Sequence, residues 1–289
     1  MSDRTRSTLV IARRRLLDSF INPGFYVTLS ISLAIAFAAV VSFAAAVDSS
    51  GFNYRLSPLY DVVGGLIVGA FGDALLAKTF AQGPLLFALH GAFVPVLLYL
   101  AFASVYRFGA ERSSGALELY TYGPTDATAY FLGSVMKDAV LTLVALASIL
   151  LFLLALAAVD NLAITPALLT SAEVLFLAAL GIYAYGVLVS VCVDNGSAAL
   201  SIFIAAVATF FLFLIGSYAI AVGYAASLVS MVSRVVGWFS PLAYWALFLR
   251  SREAAEAGGL ILALAGEIAL TALLLAASHL IVRARGVRA

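Results

Sequence analysis

The stretch Ser134–Val159, SVMKDAVLTLVALASILLFLLALAAV, decides the fold. Past Lys137 and Asp138 it carries no charge to its end at Val159. At about 1.5 Å rise per residue, about 20 apolar residues cross a hydrocarbon core about 30 Å thick. The run does not alternate with the two-residue period of a barrel strand, so a helix is the reading. Working outward, five more runs of this kind lie at roughly 24–47, 84–106, 167–193, 197–222 and 258–282. The whole chain has 289 residues, of which 64% are hydrophobic and only 11% charged. Its mean hydropathy is +1.10. Ordinary soluble domains carry about 25% charged residues, enough to cover a wet surface. This composition excludes a soluble enzyme, a nucleic-acid-binding domain and a disordered chain. The single cysteine, Cys192, closes no internal disulfide.

The sequence therefore predicts an all-α integral membrane protein, one transmembrane domain over 1–289 with six spans. Lys and Arg near the spans set its orientation. With the N-terminus inside, the inner side collects Arg4, Arg6, Arg13, Arg14, Arg15, Arg107, Arg112, Lys137, Arg283, Arg285 and Arg288. The outer side collects Arg55, Lys78, Arg234, Arg250 and Arg252. This bias predicts cytoplasmic termini in a multi-pass protein of the cell membrane. The first apolar run reads as a span rather than a cleaved signal, because about twenty residues precede it and no cleavage site follows Val47.

Residues 5–21 place Leu9, Leu16, Leu17 and Phe20 at helical spacing, with Arg13–Arg15 between, before Asn22-Pro23-Gly24 breaks the chain. That pattern predicts an amphipathic helix lying in the inner headgroup layer. Val62–Gly72 and Val235–Leu249 are apolar but short, and read as interfacial or re-entrant pieces of the outer loops. Gly65 and Gly69 form a G-x-x-x-G spacing in the first of them. Asn195-Gly196-Ser197 matches a glycosylation sequon but falls in a predicted inner turn.

The inner loop 107–133 is the most polar stretch between spans. Ser113, Ser114 and Gly115 interrupt the helix after span two, Ala116–Tyr122 suit a short helix, and Gly123-Pro124 end it. Thr125 or Asp126 can then cap the next helix. A short helix bracketed by breakers suits contact with another protein.

Several chemistries are missing. Neither lysine follows glycine, so there is no Gly-Lys-Ser/Thr phosphate loop. There is no H-E-x-x-H, C-x-x-C or G-x-S-x-G, and His90 and His279 lie far apart, so the sequence calls for no metal, cofactor or catalytic residue. The ionisable residues inside the spans are Glu173, about two turns into span four, and Glu267, about two and a half turns into span six. Such groups cost roughly 2–3 kcal/mol at depth and face a bundle interior or water. Both are candidate pathway residues. Lys137 and Asp138, at the inner edge of span three, are explained by local pairing and snorkelling.

The inner loop also carries a resemblance. Glu111-Arg112-Ser113-Ser114-Gly115-Ala116-Leu117-Glu118-Leu119, then Gly123-Pro124 and Phe131-Leu132-Gly133, resembles the ABC-2 type transporter permeases. Their first inner loop reads like E-R-x-x-G-T-L-E-L-L, followed by a proline turn and L-G-K. Ala116 stands in place of Thr, Tyr120-Thr121-Tyr122 in place of an apolar run, Asp126-Ala127 in place of a Ser-Arg type pair, and Ser134 in place of Lys. Gly186-Val187-Leu188-Val189-Ser190 looks like that family's Gly-Leu-Leu-x-Ser stretch. The resemblance implies a permease subunit without a nucleotide site, an exporter working as a dimer with a second copy or paralogue. A separate ABC ATPase subunit would dock on the loop through Glu111, Arg112, Gly115, Leu117, Glu118, Leu119 and Pro124. Two other readings stand beside it: a secondary transporter driven by protons through Glu267, and a membrane assembly protein that transports nothing.

Overall fold

The structure, a computed structural model, describes residues 3–45, 47–48, 51–52, 83–113, 127–221 and 235–285. Among the described residues the helices are α1 (Asp3–Ile21), α2 (Pro23–Ala45), α3 (Pro84–Ser113), α4 (Ala127–Val159), α5 (Pro166–Cys192), α6 (Gly196–Ala221), α7 (Pro241–Glu253) and α8 (Ala257–Arg285). The described strands amount to one two-residue ladder, β1 (Val47–Asp48) against β2 (Gly51–Phe52), pairing Val47 with Phe52. Among the described residues, α2, α3, α4, α5 and α8 are long and apolar enough to cross a bilayer. Length and composition thus make the chain a multi-pass membrane protein.

Local chemistry sets the helix boundaries. Pro166 and Pro241 stand in the first turns of α5 and α7, where a missing N–H costs nothing. Pro241 therefore starts a helix within the apolar piece 235–249, after a turn at Trp238 and Phe239. The Asn195 Oδ1 accepts the Ser197 backbone N–H at 2.9 Å and its hydroxyl at 2.7 Å, capping α6. The Asn195 of the sequon is thus engaged in structure. Asn161, just past α4, takes a left-handed φ of 51°, which Asn tolerates better than most residues.

Two boundaries depart from the apolar runs. α3 continues to Ser113, past the apolar end at 106, and α4 begins at Ala127, ahead of Ser134. Hydropathy marks only where a helix leaves the hydrocarbon. Arg107, Ala110 and Glu111 are good helix formers and carry α3 onward in polar surroundings. Both ends of the 107–133 stretch are therefore helical. Ser114 to Asp126 lie outside the described residues, as do Gly65, Gly69 and all of 62–72.

The core lies among α2, α3, α4, α5 and α6. Phe93, Leu89, Leu141, Ile149, Leu153, Leu168, Ile182 and Phe203 are fully buried there. Glycine sets the closest crossings. A Cβ on Gly109 of α3 would sit 2.5 Å from Gly196 Cα at the start of α6, and one on Gly186 of α5 would sit 2.6 Å from the Val105 side chain. Backbones pack this tightly only where no side chain intervenes. α8 packs on α5 and α7, and α1 packs chiefly along α4.

α1 turns a mixed face to the bundle, with Leu16 and Phe20 packed against the core. Ala12 and Arg15 are buried, while Leu9 and Leu17 are exposed. The surface α1 meets includes the polar beginning of α4 and end of α3, so a mixed stripe fits it. Gly133 of α4 makes the approach possible: a Cβ there would meet Ile11 Cγ2 at 2.9 Å and the Thr8 carbonyl at 3.1 Å.

Candidate functional site

A group of buried polar residues gathers at the end that carries the 114–126 connection. α4 has 33 residues, about 50 Å of helix, against a hydrocarbon core of about 30 Å. Counting roughly twenty residues back from Val159 reaches about residue 140, and roughly twenty on from Pro84 in α3 reaches about residue 103. Arg107, Glu111, Tyr130, Ser134 and Lys137 therefore stand at headgroup level or beyond.

Arg15 joins three helices there. Its guanidinium forms a salt bridge with Glu111 of α3, donates to the Tyr130 hydroxyl at 2.5 Å and donates to Ser134 Oγ at 2.8 Å. The Tyr130 hydroxyl in turn donates to Glu111. The guanidinium carbon lies 4.3 Å from the centre of the Tyr130 ring, a cation–π distance. Arg15 is only 8% exposed. Burial alone would lower its pKa, but the Tyr130 and Glu111 oxygens outweigh it and leave the pKa raised. The cation is therefore permanent. Only arginine offers a planar fork that can reach a carboxylate, a phenol and a serine at once.

The α4 partners continue as a stripe. Tyr130, Ser134, Asp138 and Thr142 recur every four residues and all four are buried. Ser104 of α3 donates to Asp138 Oδ2 at 2.6 Å. Lys137 Nζ lies 2.5 Å from Asp138 Oδ1, a charge contact outside hydrogen-bond angles. Lys137 is buried rather than reaching for water, so pairing alone accounts for it within the chain. Thr142 donates to the Asp138 carbonyl at 2.8 Å and shares a hydrogen bond of 3.0 Å with the Tyr183 hydroxyl of α5.

The sequence-derived candidates divide. Glu111 sits in the Arg15 cluster. Arg112 lies on the last turn of α3. Gly115, Leu117, Glu118, Leu119 and Pro124 lie outside the described residues. Glu173 is exposed on the outer surface of α5 and joins no interior cluster. Glu267 is buried at 2% exposure, and neither carboxylate oxygen has a hydrogen-bond partner among the described residues. A Cβ on Gly181 would meet Glu267 Oε1 at 2.3 Å and Pro241 at 3.1 Å, so only glycine leaves room for the carboxyl. Among the described residues no three His, Cys, Asp or Glu side chains gather as a metal site requires. No protein-family model, curated protein or solved structure matches the chain.

Sequence reading named Glu111 as a docking residue but missed Arg15, Tyr130 and Ser134 as its cluster. Arg13, Arg14 and Arg15 look alike in a basic tail, and only the tertiary contact singles one out. A signal was present on the other side: Tyr130, Ser134, Asp138 and Thr142 keep one polar face running into an apolar run.

Proposed function

We propose that this chain is the membrane-spanning subunit of an ABC-2 type ATP-driven transporter, an exporter whose ATPase is a separate subunit. On this reading α6 also crosses the membrane, as the fifth of six spans, α1 lies along the cytoplasmic headgroup layer, and both termini face the cytoplasm of a cell-membrane protein. Two copies, or this chain and a paralogue, enclose the pathway. The ATPase docks on 114–126, with Arg112 and Glu118 at a polar rim and Leu117 and Leu119 as apolar anchors, while Glu111 is held by Arg15 and Tyr130 in the clamp behind it.

The observation that carries the reading is the Arg15 cluster. It ties the helix entering the loop to the helix leaving it and fastens both to α1. A loop held at both feet passes a partner's movement to the spans as a tilt, not a local flexing. The missing phosphate loop fits a subunit that takes its energy from a partner.

Purification from native membranes tests it: the chain should bring down an ATPase subunit, and Leu117→Asp with Glu118→Lys should abolish recovery. With Cys192→Ser removing the sole cysteine, Glu118→Cys should crosslink to the ATPase. Undiminished recovery with the double variant sinks the docking role.

The buried, unpartnered Glu267 favours a second reading, a proton-coupled transporter. Transport that survives loss of every ATPase, yet stops when the proton gradient collapses, would select it.

A further inference from the structure

Beside the Arg15 cluster, α1, α2, α3 and α4 enclose a cavity of about 510 Å³. Its size lies within the range of small-ligand sites. Arg107 and Lys137 supply cations to its wall, and Asn22, Tyr99 and Tyr106 supply further hydrogen-bonding groups. Phe25, Leu100 and Leu141 line it with apolar surface. The charges around it are unequal. Glu111, the acid on the wall, is already engaged by Arg15 and Tyr130. Lys137 is matched by Asp138. Arg107, half-buried, has no partner among the described residues. Counting Arg15 and Asp138 behind the wall, three cations face two carboxylates, and the surplus one is the unpaired arginine.

We propose that this cavity binds the phosphate of an anionic bilayer lipid headgroup, with Arg107 as its principal cation and Lys137 as the second. The ligand chemistry is a phosphate monoanion on a glycerol-type stem. A forked guanidinium suits two phosphate oxygens. Basic pockets between spanning helices at headgroup level bind anionic headgroups on the same physics. The source is a lipid rather than free phosphate for a positional reason. Arg107 stands just past the point where α3 leaves the hydrocarbon, while Leu100 and Leu141 stand at or below it. A phosphate beside Arg107 would thus have apolar wall on its membrane side, where a free anion gains nothing and an acyl-glycerol stem gains burial. The inference is independent of any ATPase partner, since it uses only the wall residues and the membrane position.

The test is native mass spectrometry of the purified chain, titrated with phosphatidylglycerol or phosphatidylcholine in mixed micelles. Phosphatidylglycerol should be retained as one tight equivalent and phosphatidylcholine should not. Arg107→Gln should weaken that equivalent about fivefold, the effect of one basic residue at a membrane surface, and Arg107→Lys should restore part of it. Ala103→Trp narrows the cavity without touching a charge and should also weaken retention. Arg283→Gln, an exposed arginine elsewhere, should change nothing. Inorganic phosphate in millimolar excess should leave the bound lipid in place. Equal retention by wild type, Arg107→Gln and Ala103→Trp overturns the site, and displacement by inorganic phosphate overturns the lipid as its occupant.

Discussion

Replacing Arg15 with methionine keeps the length of the side chain and removes its charge and donors. What is lost can be worked from the contacts. The guanidinium gives charge-assisted hydrogen bonds to Glu111 and Tyr130 and a 2.8 Å bond to Ser134. Hydrogen bonds to charged groups contribute about 1.5–3 kcal/mol each, but these share one cation and are not additive. The variant also leaves the Glu111 carboxylate without its counter-ion. Breaking a fully buried ion pair costs about 3–5 kcal/mol. The Glu111 side chain is 24% exposed, so water recovers part of that loss. A net loss of about 2–3 kcal/mol follows, roughly a 30- to 150-fold rise in local opening. Hydrogen exchange of the protein in nanodiscs reads this directly, because α1 is held at this point largely by Arg15. Amides of residues 8–20 and 128–134 should exchange faster by that factor, while the core of α5 is unaffected. Arg13→Met, on the exposed side of the same helix, should change exchange by no more than about threefold, as an ordinary surface substitution does. Arg15→Met combined with Glu111→Gln should be less damaging than the sum of the two, by about 1–2 kcal/mol. Equal exchange in the Arg15 and Arg13 variants, or strict additivity with Glu111→Gln, would show that the cluster is not what fastens α1.

Three further outcomes are expected. Asp138→Asn leaves Lys137 buried beside a neutral amide and should cost about 3 kcal/mol, the low end for a broken buried pair, whereas Lys137→Met with Asp138→Leu should recover most of it; the folded fraction after graded heating, read by size exclusion, measures both. Gly109→Leu drives a side chain into the α6 backbone at Gly196 and should cost about 1–3 kcal/mol, while Gly258→Ala, with nothing within 4 Å of its Cβ, should be neutral or slightly stabilising in the same assay. Glu267→Gln keeps the shape of a carboxyl that has no hydrogen-bond partner among the described residues, so thermal stability should persist, and under the ATP-driven reading so should transport; a folded Glu267→Gln protein without transport would transfer support to the proton-coupled reading.

The spanning helices were legible in sequence because each is an apolar run longer than the hydrocarbon is thick, and nothing but a helix satisfies so much backbone in lipid. Their true ends were not legible. α3 runs to Ser113 and α4 starts at Ala127 through residues whose helix propensity is good but whose hydropathy is low, so the pattern that finds spans stops short of them. Which residues of α1 meet the bundle was not legible for a related reason. The apolar spacing marks Leu9, Leu16, Leu17 and Phe20, of which Leu16 and Phe20 pack on the core while Leu9 and Leu17 stay exposed, and Ala12 and Arg15 are buried against the beginning of α4. Burial of Glu267 followed from the cost of exposing a carboxylate to lipid. That Gly181 and Pro241 make its neighbourhood depends on how α5, α7 and α8 cross, which no single-helix pattern encodes.

The overhang of α3 and α4 gives the Arg15 cluster its mechanical meaning under the transporter reading. A connection hung from helices that ended at the membrane surface could swing without moving them. Here the helices continue past the hydrocarbon, by about ten residues in α3 and about thirteen in α4. Glu111 stands two residues before the end of α3 and Tyr130 three after the start of α4, so Arg15 grips both feet near their tips. A push on 114–126 then reaches α3, α4 and α1 together, and the lever arm lies outside the lipid where polar contacts are not penalised. The grip also sets the limit. A bistable element can be shifted only by the free energy of the contacts that differ between its states, so a clamp worth about 2–3 kcal/mol passes on that much work and opens beyond it. Strengthening the clamp should tighten coupling to the spans, and weakening it should leave a partner bound to a loop that moves alone.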